Sequence, residues 1–248
     1  MSVARALWRL LRVVLHVLGG LPVLALGFPR FDAARRQAHI RRWSAGLLRC
    51  LGVTLQVHQR AAVPPACLVV ANHVSWLDIA CVHAALPQAR FVSKADVRRW
   101  PLLGWMVAAA GTLFIERASK RDALRVVHHC AEALKRGDTV ALFPEGTTGP
   151  GPDLLPFHAN LLQAAIATAA PVQPLVLRYR DAHAAVSQAP SYVGDTSLAA
   201  SLWATVTADK LVAEVIVENA LGTRHADRRA LAEHLRELIV GRLKEGRA

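Results

Sequence analysis

Paired cysteines and metal-ligand spacings are missing from this sequence. Its 248 residues include four cysteines, with no C-x-x-C motif and no histidines at ligand spacing beside them. This pattern argues against a disulfide framework and against a zinc site. We therefore expect ordinary thiols in a reducing compartment and no bound metal. The four are Cys50, Cys67, Cys81 and Cys130.

Acidic residues are scarce, above all near the N terminus. Asp and Glu number 18 against 30 Lys and Arg, and residues 1–60 contain ten arginines with Asp32 as their one acidic residue. Hydrophobic residues nevertheless make up 53% of the chain. A chain that is both apolar and basic is typical of proteins that bind an anionic membrane surface. Because the basic segment shows no finger, helix-turn-helix or aromatic-platform pattern, we predict that nucleic acid is not a partner.

The sequence also lacks a long, uninterrupted apolar run near its N terminus. Residues 13–29 contain no Asp, Glu, Lys or Arg, but they are few for a hydrocarbon core, and Gly19, Gly20 and Pro22 interrupt them. Arginines on both sides favour both ends on the cytoplasmic side. No small-residue cleavage site precedes Arg30, which disfavours a cleaved signal peptide. A shallow span and a monotopic anchor both remain compatible with this pattern.

Two amphipathic helices are predicted within the first 52 residues. The first covers residues 3–18, where Arg5, Arg9, Arg12 and His16 recur at helical spacing beside an apolar face, a pattern that favours the membrane interface. The second covers residues 32–51, and its arginines could reach lipid phosphates. Its shared apolar face comprises Ile40, Trp43, Leu47, Leu48 and Leu51. We assign residues 1–52 to a membrane-anchoring helical segment and residues 53–248 to one further domain.

The remainder of the chain alternates β-branched runs with helical stretches. This alternation predicts an α/β fold with a central mixed, largely parallel sheet flanked by helices. The predicted strands are residues 66–71, 90–93, 112–115, 139–143 and 172–179. The predicted helices are residues 77–86, 100–110, 120–136, 158–169 and 224–247.

The first informative string runs from the apolar residues 68–71 into Asn72, His73 and Asp78. Sites in α/β folds lie where strands end. His73 and Asp78 are five residues apart, which on one continuous helix would separate them by about 140°. We therefore place His73 in the turn and Asp78 in the first turn of the next helix, where the carboxylate can hold one imidazole nitrogen while the other faces a substrate hydroxyl. The alternative is that Asp78 caps a helix and His73 is an ordinary loop histidine.

The second string, residues 139–149, is again an apolar strand that ends in a polar turn. Gly146 permits a close backbone approach to a ligand. Glu145 has no evident structural reason to follow a buried strand. We therefore include both residues in the candidate site.

Together the two strings resemble the signatures N-H-x-x-x-x-D and F-P-E-G-T of the phospholipid and glycerol acyltransferase family, the family of the 1-acylglycerol-3-phosphate acyltransferases. Two weaker blocks also match. One comprises residues 91–94, 101–105 and 111–117, and the other comprises residues 171–174. The resemblance covers residues 66–178 and follows the family order.

This resemblance implies an N-terminal membrane arm on an acyltransferase catalytic domain at residues 53–248. It implies direct acyl transfer from acyl-CoA or acyl carrier protein, with no cofactor, to the free hydroxyl of 1-acylglycerol-3-phosphate at the cytoplasmic face of the inner membrane. His73 would be the general base and Asp78 would steady the imidazolium, while backbone amides would stabilise the oxyanion. The implied substrate-binding residues are Asn72, Lys94, Arg117, Glu145, Gly146 and Thr147, of which Lys94 and Arg117 would contact the acceptor phosphate.

One departure from the family pattern leaves the acceptor open. Many members follow F-P-E-G-T with Arg-Ser, whereas Thr148 and Gly149 stand at those places here. The Thr-containing variant is similar to the branch that acylates lyso-ornithine lipid, whose headgroup carries no phosphate. A third alternative is a lipid-binding module that keeps the fold without the reaction, although the intact His73, Asp78 and Glu145 argue against it.

Overall fold

The computed structural model describes residues 3–99, 102–115, 120–151 and 153–245, without the side chains of some residues beside the gaps. It begins with a helical hairpin. Helix α1 (Val3–Pro22) continues through a π-helical turn (Val23–Gly27) and a 3₁₀ turn (Phe28–Arg30). Helix α2 (Ala33–Leu51) follows, capped by the Asp32 carboxylate, which accepts from the Arg35 amide at 2.7 Å. Both predicted N-terminal helices are confirmed, and α1 continues past Gly19 and Gly20.

Two glycines let the helices of the hairpin approach closely. A Cβ on Gly20 would lie 2.6 Å from Trp43 Nε1, and one on Gly46 would lie 2.5 Å from His16 Cε1. The His16 ring stacks on Trp43, and its Nε2 donates to the Trp43 carbonyl at 2.9 Å. Each helix thus places an aromatic ring against a glycine of the other helix, and these two contacts determine how α1 packs on α2.

Arg9 and His16 of the polar stripe of α1 contact the protein, whereas Arg12 is exposed. Leu10 and Val13 pack against the core, but many other apolar side chains of the helix are left outside. Arg9 Nη1 donates to the Val206 and Ala208 carbonyls at 2.8 and 3.1 Å, at the C-terminal end of helix α7 (Leu198–Thr207). Among the described residues, the stretch Val3–Arg30 has the length and composition to cross a bilayer, and little of it is buried by the rest of the protein. The exposed apolar side chains of α1 are Val3, Leu7, Trp8, Leu11, Val14, Leu15 and Leu18.

In the described part of the chain, seven strands form one sheet. The strands are β1 (Thr54–Gln59), β2 (Leu68–Ala71), β3 (Ala89–Lys94), β4 (Leu113–Ile115), β5 (Thr139–Leu142), β6 (Val172–Arg180) and β7 (Val212–Val217). Their order in the sheet is β1-β7-β6-β2-β5-β3-β4. The β6–β7 pair is antiparallel and the other pairs are parallel, which confirms the predicted mixed, largely parallel sheet. The remaining α-helices are α3 (Leu77–Ala85), α4 (Leu103–Ala109), α5 (Lys120–Lys135), α6 (Gln163–Thr168) and α8 (Arg228–Glu245).

Helices cover both faces of the sheet. Val69 and Ala71 of β2 pack into a cluster with α2 and α3, whereas Leu68 and Val70 pack into a second cluster with α5, α6 and α8. Successive side chains of a strand point to opposite faces, so a strand between two helical layers is apolar throughout. This arrangement explains why the four residues of β2 are all buried.

The predicted elements all occur, with shorter bounds in most cases. The predicted helix at 158–169 is a 3₁₀ turn (Ala159–Leu162) followed by α6, and a 3₁₀ helix (Ala95–Arg99) precedes α4. The sequence interpretation missed β1, α7 and β7. Strand β1 is a mostly exposed, polar edge strand, which gives little periodic signal.

Candidate active site

Asn72, the first residue after β2, joins this turn to the neighbouring strand β6. Its Nδ2 donates to the Leu177 carbonyl at 2.9 Å, and its Oδ1 accepts from the Leu177 amide at 2.8 Å. The residue is fully buried. Its amide therefore continues the backbone ladder beyond β2, and both of its polar atoms have partners within the protein.

His73 and Asp78 meet as the spacing predicts. His73 Nδ1 lies 2.8 Å from Asp78 Oδ2, with His73 in the turn and Asp78 in the first turn of α3. Because a carboxylate can only accept, Nδ1 carries the proton and Nε2 is the ring nitrogen able to take one. The His73 side chain is 19% exposed and that of Asp78 is fully buried, so the carboxylate acts on a substrate only through the imidazole.

Asp78 also orders the turn before α3, but it does not cap the helix as the alternative interpretation proposes, because the N-cap residue of α3 is Trp76 and the helix has no side-chain cap. Its Oδ2 accepts from the Val74 and Ser75 amides at 2.7 and 2.9 Å. Its Oδ1 accepts from the Tyr179 hydroxyl at 2.6 Å. One carboxylate thus orders the loop and orients the imidazole at the same time, which is compatible with either role for His73.

Glu145 joins the turn after β5 to the turn after β2. Its Oε1 accepts from the His73 amide at 2.8 Å, and its Oε2 accepts from the Leu155 amide at 2.9 Å. The side chain is buried, and this desolvation raises its pKa even though the two amide donors oppose the shift. The Gly149 amide also donates to the His73 carbonyl at 2.8 Å. Both backbone polar groups of His73 are therefore held by the second turn.

Phe143 is a site residue that the sequence analysis missed. Its ring stacks on the His73 imidazole with centroids 3.9 Å apart and an angle of 6° between the planes. Phe91 also stacks on Phe143, with centroids 5.4 Å apart, and His83 meets Phe91 edge-on at 5.1 Å. Burial lowers the pKa of His83 to about 4, so that ring stays neutral. Phe143 is the first residue after β5, and His73 is the second residue after β2. This common position at the ends of neighbouring strands was the signal from which the sequence could have predicted Phe143 as a site residue.

The remaining predicted site residues differ in their placement. Gly146, at φ +75°, and Thr147 are exposed on the second turn. Lys94 ends β3, and because β2, β5 and β3 are parallel neighbours, its backbone lies at the edge of the sheet that carries His73 and Glu145. The Lys94 side chain and the whole of Arg117 lie outside the described residues. Thr148 donates from its hydroxyl to the Tyr192 carbonyl.

The described ranges contain no group of three His, Cys, Asp or Glu side chains placed to hold a metal ion. The four cysteines are buried free thiols. A histidine braced by a buried carboxylate, at the carboxyl edge of a largely parallel sheet, is the arrangement of an enzyme that takes a proton from a hydroxyl or water. The geometry of the site therefore fits a transfer or hydrolytic enzyme.

Comparison with known proteins makes this assignment specific. The Acyltransferase family model matches residues 54–178, which is half of the chain. A 1-acyl-sn-glycerol-3-phosphate acyltransferase from Neisseria meningitidis is 41% identical over 196 residues, covering 78% of this chain and 76% of that protein. The lyso-ornithine lipid O-acyltransferase of Pseudomonas aeruginosa is 35% identical over 231 residues, covering 89% and 88%. The chain belongs to the Acyltransferase family and is an O-acyltransferase, which confirms the resemblance drawn from its motifs.

The fold also has a counterpart of known structure. The crystal structure of the 1-acyl-sn-glycerophosphate (LPA) acyltransferase PlsC from Thermotoga maritima superposes with a TM-score of 0.73, covering 98% of this chain and 94% of that one. Sequence identity is 18%, so this likeness concerns the fold.

Proposed function

We propose that the protein transfers a fatty acyl group from acyl-CoA or acyl carrier protein to the free hydroxyl of 1-acylglycerol-3-phosphate, giving phosphatidic acid for phospholipid synthesis. The observation that carries the proposal is the 2.8 Å hydrogen bond from His73 Nδ1 to Asp78, which leaves Nε2 as the basic nitrogen. The names of the Neisseria relatives support this acceptor.

The proposed reaction is a direct transfer. The acceptor hydroxyl gives its proton to His73 Nε2 as its oxygen attacks the thioester carbonyl carbon. The tetrahedral intermediate then expels the thiolate, which takes the proton back from the imidazolium and leaves as a free thiol. Asp78 stabilises the transient imidazolium, and a base positioned in this way contributes about 10²- to 10⁴-fold in rate.

The predicted substrate contacts take two different roles in this proposal. Gly146 and Thr147 are exposed and can approach a ligand, and Lys94 and Arg117 are assigned to the acceptor phosphate. Asn72 and Glu145 instead position His73, since the polar atoms of both side chains are bonded to backbone groups within the protein.

Lyso-ornithine lipid is the second candidate acceptor. The Thr148 hydroxyl is bonded to the Tyr192 carbonyl, at a place where many family members carry an arginine. The turn therefore offers no cation there for a phosphate. The Pseudomonas relative also matches a larger share of this chain than the Neisseria one.

We further propose that the protein lies on the cytoplasmic face of the inner membrane through the outer face of α1. Seven large apolar side chains are exposed there, and arginines of α2 such as Arg41 and Arg42 are exposed as well. An Asp in place of Leu11 should weaken co-sedimentation with vesicles of anionic phospholipid. The matched control is Leu124→Asp, which places the same charge on an exposed leucine of α5. Equal binding by both variants would contradict this orientation.

The proposed reaction is tested with purified protein in vesicles, radiolabelled acyl-CoA or acyl carrier protein, and each of the two acceptors in parallel. We expect His73→Ala to abolish transfer to either acceptor, while His129→Ala, a change at an exposed histidine of α5, keeps it. Arg117→Ala should reduce transfer to the phosphate acceptor selectively. Transfer by His73→Ala at the native rate would rule out the proposed base, and transfer to lyso-ornithine lipid alone would assign the second acceptor.

A further inference from the structure

The Asp78 carboxylate receives hydrogen bonds from two side chains, and the proposed reaction uses one of them. On Oδ2 it accepts from His73 Nδ1, and on Oδ1 it accepts from the Tyr179 hydroxyl at 2.6 Å. Tyr179 lies on β6, 101 residues along the chain from Asp78. The family match ends at residue 178, immediately before this tyrosine.

Tyr179 cannot act on a substrate directly, because its side chain is buried in the cluster that includes Leu77 and Cys81. The Cys81 thiol, one helical turn after Asp78, lies 3.6 Å from the hydroxyl. Burial, and then the neighbouring Asp78 charge, raise the pKa of Tyr179 well above its usual value. The phenol therefore stays protonated and remains a donor across the working pH range of an enzyme.

Hydrogen bonds to both oxygens of a carboxylate determine the plane in which it lies. With Tyr179 on Oδ1 and the turn amides on Oδ2, the Asp78 carboxylate cannot rotate away from His73 without breaking several bonds. A buried carboxylate oxygen with no donor is costly, and it favours a rotation of the carboxylate that finds a new donor. Such a rotation would turn Oδ2, and the His73 ring bonded to it, out of the orientation that the reaction needs.

We propose that Tyr179 is a positioning residue for acyl transfer, in that its buried hydroxyl holds the second oxygen of Asp78 and so aims the first at His73. This inference rests on the proposed function, since it requires His73 to be the base. Strand β6 then supports the site in two ways: the Tyr179 side chain holds Asp78, and the Leu177 backbone holds Asn72.

The test compares Tyr179→Phe, which removes one oxygen, with Cys81→Ala, which disturbs the packing around the same ring and keeps the hydroxyl. We expect kcat of Tyr179→Phe to fall by about ten- to a hundredfold, the scale of a small misplacement of a catalytic group, with KM for both substrates little changed. The acid limb of kcat/KM should move to higher pH, because an Asp78 carboxylate with one donor fewer keeps more of its negative charge on Oδ2 and stabilises the imidazolium more. Cys81→Ala should leave the acid limb in place.

A second measurement keeps the inference testable if Tyr179→Phe folds poorly. The chain contains two tyrosines, Tyr179 and Tyr192. In a Tyr192→Phe background, biosynthetic replacement of tyrosine by 3-fluorotyrosine therefore alters Tyr179 alone. The fluorinated phenol is the stronger donor, so the acid limb should move to lower pH, opposite in direction to the phenylalanine variant.

The possible outcomes separate the inference from the proposed function. An acid limb that stays in place in both Tyr179 replacements overturns the positioning role, as does an equal change of the limb in Cys81→Ala. Undiminished transfer by His73→Ala would instead overturn the proposed function, whatever the behaviour of Tyr179.

Discussion

A buried acid follows each of the strands β2 and β5, in the first turn of α3 and in the turn after β5, yet the two acids have different partners. Asp78 accepts from two backbone amides and from the side chains of His73 and Tyr179. Glu145 accepts from two backbone amides, one of them that of His73 itself. A carboxylate bonded to a titratable ring can act in proton transfer, whereas one bonded to amides holds the chain in place. In the proposed reaction, one acid of the site therefore serves the chemistry and the other supports the backbone.

Asp78→Asn should give the largest loss of activity. The amide can present its NH₂ to Nδ1 and so favour the wrong imidazole tautomer, an error that lowers kcat by about 10⁴-fold in a His-Asp pair of another enzyme class. The measurement is kcat in the vesicle assay, with circular dichroism to confirm the fold. A loss below tenfold would limit Asp78 to ordering the turn before α3.

Glu145→Gln should give a smaller loss, together with a loss of stability. The glutamine has one oxygen for the two amides of His73 and Leu155, so one donor is left facing an NH₂ group. The unfilled bond should lower the free energy of unfolding by about 1–3 kcal/mol, and a displaced His73 should lower kcat by up to about 100-fold. Denaturant unfolding and steady-state kinetics measure the two effects. A raised KM for the acceptor with native stability would instead make Glu145 a substrate contact.

Phe143→Leu tests the ring contact between the two turns. Aromatic pairs contribute about 0.5–1.5 kcal/mol beyond their buried area, so loss of the stacking on His73 should lower kcat by roughly tenfold or less. Phe91→Leu, which removes the next ring of the stack and leaves the His73 contact, is the matched control. Equal losses in the two variants would attribute the effect to packing.

The pH dependence of stability should show the smallest effect. Burial raises the pKa of Glu145 in the folded protein, so between its usual and its raised value the folded state binds more proton than the unfolded state. Stability from this group therefore falls as pH rises through that window. Relative to Glu145→Gln, the native protein should become less stable as the pH of the unfolding experiment is raised through and above the usual pKa of a glutamate. A difference that does not change with pH would contradict the burial of this carboxyl in the folded state.

Much of the site could be predicted because its parts are local in sequence. The five-residue spacing of His73 and Asp78 placed one in a turn and the other at a helix start. Apolar runs that end in polar turns placed Glu145 and Gly146 at a strand end. The role of Glu145 could not be predicted in this way, since its partner His73 lies 72 residues away. Tyr179 offered even less signal, because within its apolar strand it is one more buried side chain.

The orientation of α1 likewise combines a feature that the local sequence predicts with one that it does not. The helical period grouped Arg9 and His16 on one stripe, but their partners are the end of α7, nearly two hundred residues away, and the neighbouring helix α2. A period determines which residues share a face. It does not determine what that face meets.

The sequence by itself thus determined the family, the alternation of strands and helices, and the pairing of His73 with Asp78, because each depends on neighbours along the chain. The tertiary structure decided that Asn72 bonds to Leu177, Glu145 to the His73 backbone, and Tyr179 to Asp78. Those contacts depend on the order of strands in the sheet, which brings β6, β2 and β5 side by side although they are far apart in sequence. Local periodicity carries no information about that order.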